Sequence, residues 1–171
     1  MHGLIRYYIN MTMLKTTPQD CPVSQGLQNS LIIIFLTLSI ISALPTYNLW
    51  GSVFTSLLDL GVLFFFTQVL LSNKKERIHQ TFNALLGTGI VIGIVITICS
   101  YIFDIDPKTE TISDAGIFAF FLIFIWFVIV YGNIIRHAVD TSLSVGIAIS
   151  VGYVIVNMIV LITFAEILGL S

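Results

Sequence analysis

Asp59 is the one formally charged residue set well inside an apolar stretch of this chain, between Ser52 and Phe66. Seven residues separate it from Ser52, roughly 10 Å along a helix that rises 1.5 Å per residue. In hydrocarbon an ionised carboxylate at such a depth costs about 2.5–3.5 kcal/mol, so the group needs a proton, a partner or a water-filled space. Asn157 stands seven residues before Phe164 in another apolar stretch, at matching depth, and is the expected partner. An intramembrane carboxylate suggests proton or ion handling. A relay calls for a second ionisable group at the same depth, and Glu166 lies too near the end of its stretch to serve. A structural hydrogen bond between two helices is therefore the favoured role.

The other chemically capable side chains form no recognised constellation. His137 and Asp140 have helical spacing and His79 lies in a second polar segment, but two imidazoles and one carboxylate fall short of a metal-ligand pattern. Cys21 and Cys99 have neither metal-binding nor redox spacing and read as small apolar residues. No phosphate-binding loop, nucleophile elbow or His-Glu-x-x-His motif occurs. No catalytic, cofactor-binding or metal-binding residue is assigned, and no cofactor is expected.

The elements that must carry Asp59 and Asn157 follow from composition. Of the 171 residues, 57% are hydrophobic and 9% charged. A soluble domain carries roughly a quarter charged residues, so a water-facing shell around one core is excluded. The formal charge of −2 supplies no basic excess for a nucleic-acid partner. The expected fold class is all-α, an integral membrane bundle of five transmembrane helices over about residues 31–49, 52–72, 81–103, 117–133 and 142–164. Residues 1–30 form a polar N-terminal tail, either an interfacial helix over Met1 to Leu14 or a disordered leader.

Counting Lys and Arg gives the orientation. Arg6, Lys15, Lys74, Lys75, Arg77 and Arg136 share one side, while Lys108 stands alone on the other among Asp104, Asp106, Glu110 and Asp114. The positive-inside rule then makes the N-terminus cytoplasmic and the C-terminus external or periplasmic.

Helices that associate in lipid need close backbone approach. The third span offers Gly89 and Gly93 four residues apart. The fifth offers two small-residue rows, Ser142-Gly146-Ser150 and Ser144-Ala148-Gly152. Those two spans are the expected core helices. The fourth, with Phe118, Phe120, Phe121, Phe124, Trp126 and Phe127 all round it, is expected to face lipid or a second subunit. Lys74, Lys75 and Arg77 form a basic loop suited to anionic headgroups or a protein contact.

The stretch Arg77-Ile78-His79-Gln80-Thr81-Phe82-Asn83-Ala84-Leu85-Leu86-Gly87 follows a short basic loop and leads into the third span. Two further spans follow, separated by Gly132 to Ser144. Over about Leu57 to Phe164 the chain resembles the Yip family of Rab-GTPase-interacting membrane proteins, and its bacterial relatives more closely. That resemblance implies five spans, a cytoplasmic N-terminus and action through other membrane proteins. Family members bind GTPases partly through an acidic, Gly-Pro-containing motif near the first span. Here the corresponding hairpin, Leu44 to Gly51, has no acidic residue, so GTPase binding is not implied. The expected function is a non-enzymatic scaffold or accessory subunit in a bacterial inner membrane, in contact with the bilayer and with other membrane proteins or further copies of itself. The alternative is a small transporter or channel component that works through Asp59.

Overall fold

The computed structural model describes residues 2–103 and 113–169, and among them every regular element is helical. A short helix, α1 (His2–Thr12), precedes five long ones: α2 (Gln25–Ala43), α3 (Leu49–Leu70), α4 (Ile78–Ile102), α5 (Asp114–Val139) and α6 (Leu143–Ile167). All five are long and apolar enough to cross a membrane. The acidic stretch around Pro107, with Lys108, lies outside the described residues.

The helix limits differ from the apolar runs because caps set them. Ser24 Oγ accepts the Leu27 N–H at 3.2 Å, which starts α2 six residues before the expected Leu31 and draws Gln25, Gln28 and Asn29 into its first turns. At its far end α2 stops at Ala43, and Pro45 falls in the turn that follows. Asn48 caps α3 through a 2.8 Å bond from Gly51 N–H, Ser113 caps α5 and Ser142 caps α6. At its other end α5 passes the expected limit at Asn133 and continues to Val139. Asp140 then adopts a left-handed conformation at φ 59° and breaks it.

The centre of the bundle is α4, which packs against α1, α2, α3 and α5 and buries Thr81 to Thr88 without a gap. Its glycines are the contact points. The Tyr8 ring occupies the space a Cβ on Gly87 would need, while a Cβ on Gly89 would stand 2.9 Å from the Tyr131 hydroxyl and one on Gly93 3.1 Å from Leu38 Cδ2. The second core helix is α5 rather than α6, a correction to the expected roles of the fourth and fifth spans. Val128 and Val130 to Ile135 are buried, whereas Phe118, Phe121 and Phe124 in the first half of α5 are exposed. Aromatic content marked the outer half of α5 correctly but hid the inner half, where Tyr131, Gly132 and Asn133 pack.

The closest approach between helices is that of α5 to α6. A Cβ on Gly132 would lie 2.8 Å from the Ile147 backbone nitrogen, and one on Gly146 would overlap the Gly132 carbonyl oxygen. The row of Gly146 and Ser150 is thus inside, both residues buried. The other row is not. Ser144, Ala148 and Gly152 are exposed, and a Cβ on Gly152 would meet no atom within 4 Å, so the expectation that Gly152 packs within the chain is corrected.

The N-terminal segment is neither loose nor laid flat away from the bundle. Met11 and Thr12 are buried, and the Trp126 indole N–H donates to the Thr12 carbonyl at 2.9 Å. Tyr8 sits against Gly87, nine residues into α4, which is about 14 Å from its start. The chain then turns through Leu14 at φ 59° and returns to Cys21, whose carbonyl and that of Gln19 accept from the Gln80 amide.

Because backbone stands against backbone at Gly146, Gly146→Ala should lower the stability of the detergent-solubilised protein by about 1–3 kcal/mol. Gly152→Ala should leave it unchanged, and thermal unfolding of the two variants side by side checks the contrast.

Candidate functional site

A stripe of small and polar residues on each of two helices creates the site. On α3 the residues Ser52, Ser56, Asp59, Leu63 and Thr67 recur at helical spacing along one face, and all but Asp59, which is half-buried, are fully buried. On α6 the matching face is Gly146, Ser150, Tyr153 and Asn157. Where the stripes meet, Asn157 Nδ2 donates to Asp59 Oδ1 at 2.9 Å, joining residues 98 apart. The structure therefore brings together the two residues that the sequence singled out. The neighbours Ser56, Tyr131 and Tyr153 were missed. The signal for Ser56 was present, three residues before Asp59 on the same face.

The contact is not saturated. Among the described residues Asn157 Oδ1 and Ser56 Oγ are buried without a hydrogen-bond partner, and Asn157 is the one donor to the Asp59 carboxylate. Two cavities meet at this carboxylate. The larger, about 230 Å³, is bounded by Phe35, Ser39, Phe127, Tyr131 and Tyr153 as well as Asp59. The smaller, about 190 Å³, shares Ser39 and Asp59 and adds Tyr47, Thr55 and Ser56. The aromatic wall is ordered by packing. Phe127 and Tyr131 have ring centroids 4.1 Å apart, Tyr131 stacks on Tyr153 at 5.9 Å, and the Tyr131 hydroxyl donates to the Leu85 carbonyl at 3.1 Å.

A second polar cluster lies at one end of the bundle. Lys74 Nζ and Arg77 Nη1 both reach Asp140 Oδ2, at 2.7 and 2.9 Å. Lys74 also donates to the Val139 carbonyl at 2.9 Å, and Arg77 to the Ala138 carbonyl at 3.1 Å. Two cations thus close the C-terminal end of α5, where free carbonyls and the helix dipole concentrate negative charge. Of Lys74, Lys75 and Arg77, only Lys75 is exposed. The loop expected to meet headgroups is therefore largely engaged within the chain. Both cations hold the Asp140 carboxyl below its usual range through their hydrogen bonds. His79 Nδ1 pairs with Gln28 Oε1 at 3.1 Å, and no group of three possible metal ligands occurs among the described residues.

Cys21 is buried with its sulfur 3.6 Å from the Tyr8 hydroxyl, and burial pushes the thiol above its ordinary pKa. It is therefore a poor nucleophile at neutral pH. Cys21 and Cys99 are both free.

Compared with protein-family models, with curated proteins and with solved structures, the chain finds no match.

Removing the amide donor should be the costly change at the central site. Asn157→Leu is expected to destabilise by about 1–3 kcal/mol because it leaves a buried carboxylate unpaired. Asp59→Leu in the Asn157→Leu background should recover much of that loss, and a double-mutant cycle on thermal unfolding measures the coupling. At the bundle end, a carboxyl held below its usual range stabilises the fold above the ordinary value near 3.9 and stops doing so as pH falls through the lowered one. Asp140→Asn should thus lower the melting temperature at neutral pH. The difference from the parent should vanish in strong acid and shrink with added salt.

Proposed function

We propose that this chain is a multi-pass membrane protein of a bacterial inner membrane, with its N-terminus cytoplasmic and its C-terminus periplasmic, and that it serves as a non-enzymatic scaffold or accessory subunit. The membrane part of this reading is supported by how little of the apolar surface the chain covers for itself. At most 28% of the most apolar stretch of any long helix is buried, so the remainder needs lipid or other helices around it. The orientation is supported by the bundle end at which Lys74, Arg77 and Asp140 meet, because Lys74, Lys75, Arg77 and Arg136, four of the seven Lys and Arg residues, lie at that end. A Yip-like role, acting through other membrane proteins, agrees with the same five-helix count.

The observation that carries the accessory role is the open face of α6. Gly152 forms part of an apolar groove between α3 and α6 with Val62, Phe65, Phe66, Val69 and Ile149, about 390 Å³ in volume. Its missing side chain leaves room for a neighbouring backbone, and a small residue in such a groove suits a transmembrane helix of another protein. A second reading, a small transporter or channel component, is favoured by the two cavities that meet at Asp59.

Mild detergent extraction followed by affinity purification and mass spectrometry separates the readings. The accessory subunit should retain a membrane partner that Gly152→Leu releases without loss of its own stability. Recovery of the parent protein alone in repeated trials, with flux across vesicles abolished by Asp59→Asn, would instead favour the transporter.

A further inference from the structure

We infer that the cavity around Asp59 binds a small organic ammonium ion, with the nitrogen on the Asp59 carboxylate and the apolar body among Phe35, Phe127, Tyr131 and Tyr153. Four observations point this way. The only donor to the carboxyl group among the described residues is one neutral amide, and none of their cations pairs with it. Ser56 Oγ, on a residue 3% exposed, is buried without a partner on the same wall of the smaller cavity and can accept an ammonium N–H. The larger cavity has aromatic rings on several sides, and the faces of such rings attract cations. Its volume of about 230 Å³ exceeds the roughly 150 Å³ that accommodates benzene, which leaves space for one ring and a short charged arm.

The lining argues against the other cations. A hard metal ion takes six or more oxygen ligands. Here the Ser42 hydroxyl is already bonded to that of Thr97 at 3.1 Å and the Tyr131 hydroxyl to the Leu85 carbonyl, so few oxygens remain for a metal. A neutral apolar molecule or an acyl chain would give neither the Asp59 carboxyl nor the Ser56 hydroxyl a further partner. The ammonium group could belong to a free amine or to the headgroup of an aminophospholipid, and both would present the same chemistry to Asp59. The assignment concerns binding alone. It stands apart from helix docking at Gly152 and from any flux across the membrane.

The test is calorimetric titration of the full-length protein in dodecyl maltoside micelles, which contain no amine, with benzylammonium chloride as the probe and benzyl alcohol as its uncharged counterpart. Saturable benzylammonium binding is expected, weakened about tenfold or more by Asp59→Asn, with benzyl alcohol weaker by a similar factor. Displacement of the probe by phosphatidylethanolamine added to the micelles would assign the site to a headgroup, and undisturbed binding would assign it to a free amine. The inference is overturned if the parent protein shows no saturable benzylammonium binding, or if the alcohol binds as tightly as the amine. The alcohol comparison uses the unaltered chain, so the outcome does not hang on whether the Asp59 variant folds.

Discussion

Helices that are apolar on every side cannot choose their neighbours by burying apolar surface, since each face offers the same gain and lipid offers it too. What remains to distinguish faces is how near two backbones can come and where polar groups must meet. Both constraints are visible here. Gly132 and Gly146 let α5 and α6 touch backbone to backbone, Gly87 admits the Tyr8 ring, and Gly89 and Gly93 receive Tyr131 and α2. Each contact exists because a side chain is missing at one position. The register of the bundle is therefore written in its glycines more than in its large apolar residues.

Polar contacts complete the specification at two levels. At one end, Asp140 in its left-handed turn gathers Lys74 and Arg77, and the same two cations quieten the last carbonyls of α5. That arrangement holds both cations on one carboxylate oxygen and on the backbone. In the middle, Asp59 and Asn157 share one hydrogen bond beside two cavities, with Ser56 Oγ and the Asn157 Oδ1 acceptor unused. The first cluster gives each cation both a carboxylate and a backbone carbonyl partner, whereas the second leaves buried polar atoms without one, which is the character of a place where something else can bind.

Much of this was legible in the residues. Five apolar runs became five helices, and the pairing of Asp59 with Asn157 followed from equal depth alone. Helix ends were less legible, because an apolar run reports the surroundings of a segment whereas Ser24, Asn48, Ser113 and Ser142 determine where hydrogen bonding begins. The roles of α5 and α6 were also misjudged. Aromatic residues crowd the outer half of α5, and a window over the whole helix averages away its inner half, where Gly132 and Asn133 pack. On α6 two small-residue rows looked equivalent in sequence, and only the position of α5 decides that Gly146 is inside and Gly152 outside. The aromatic wall beside Asp59 was not legible at all, because it is assembled from α2, α5 and α6.

The seat of the N-terminal helix has a consequence for the order in which the molecule is made. The Thr12 carbonyl is held by Trp126, 114 residues later in the chain. At roughly 5–20 residues per second of synthesis, about 6 to 23 seconds pass between the two. Throughout that interval Thr12 has been made but Trp126, whose indole N–H finally donates to its carbonyl, has not. The segment around Thr12 is thus made well before its seat is complete, and until then that side of the groove beside α4 stands open to whatever helix or chaperone reaches it first.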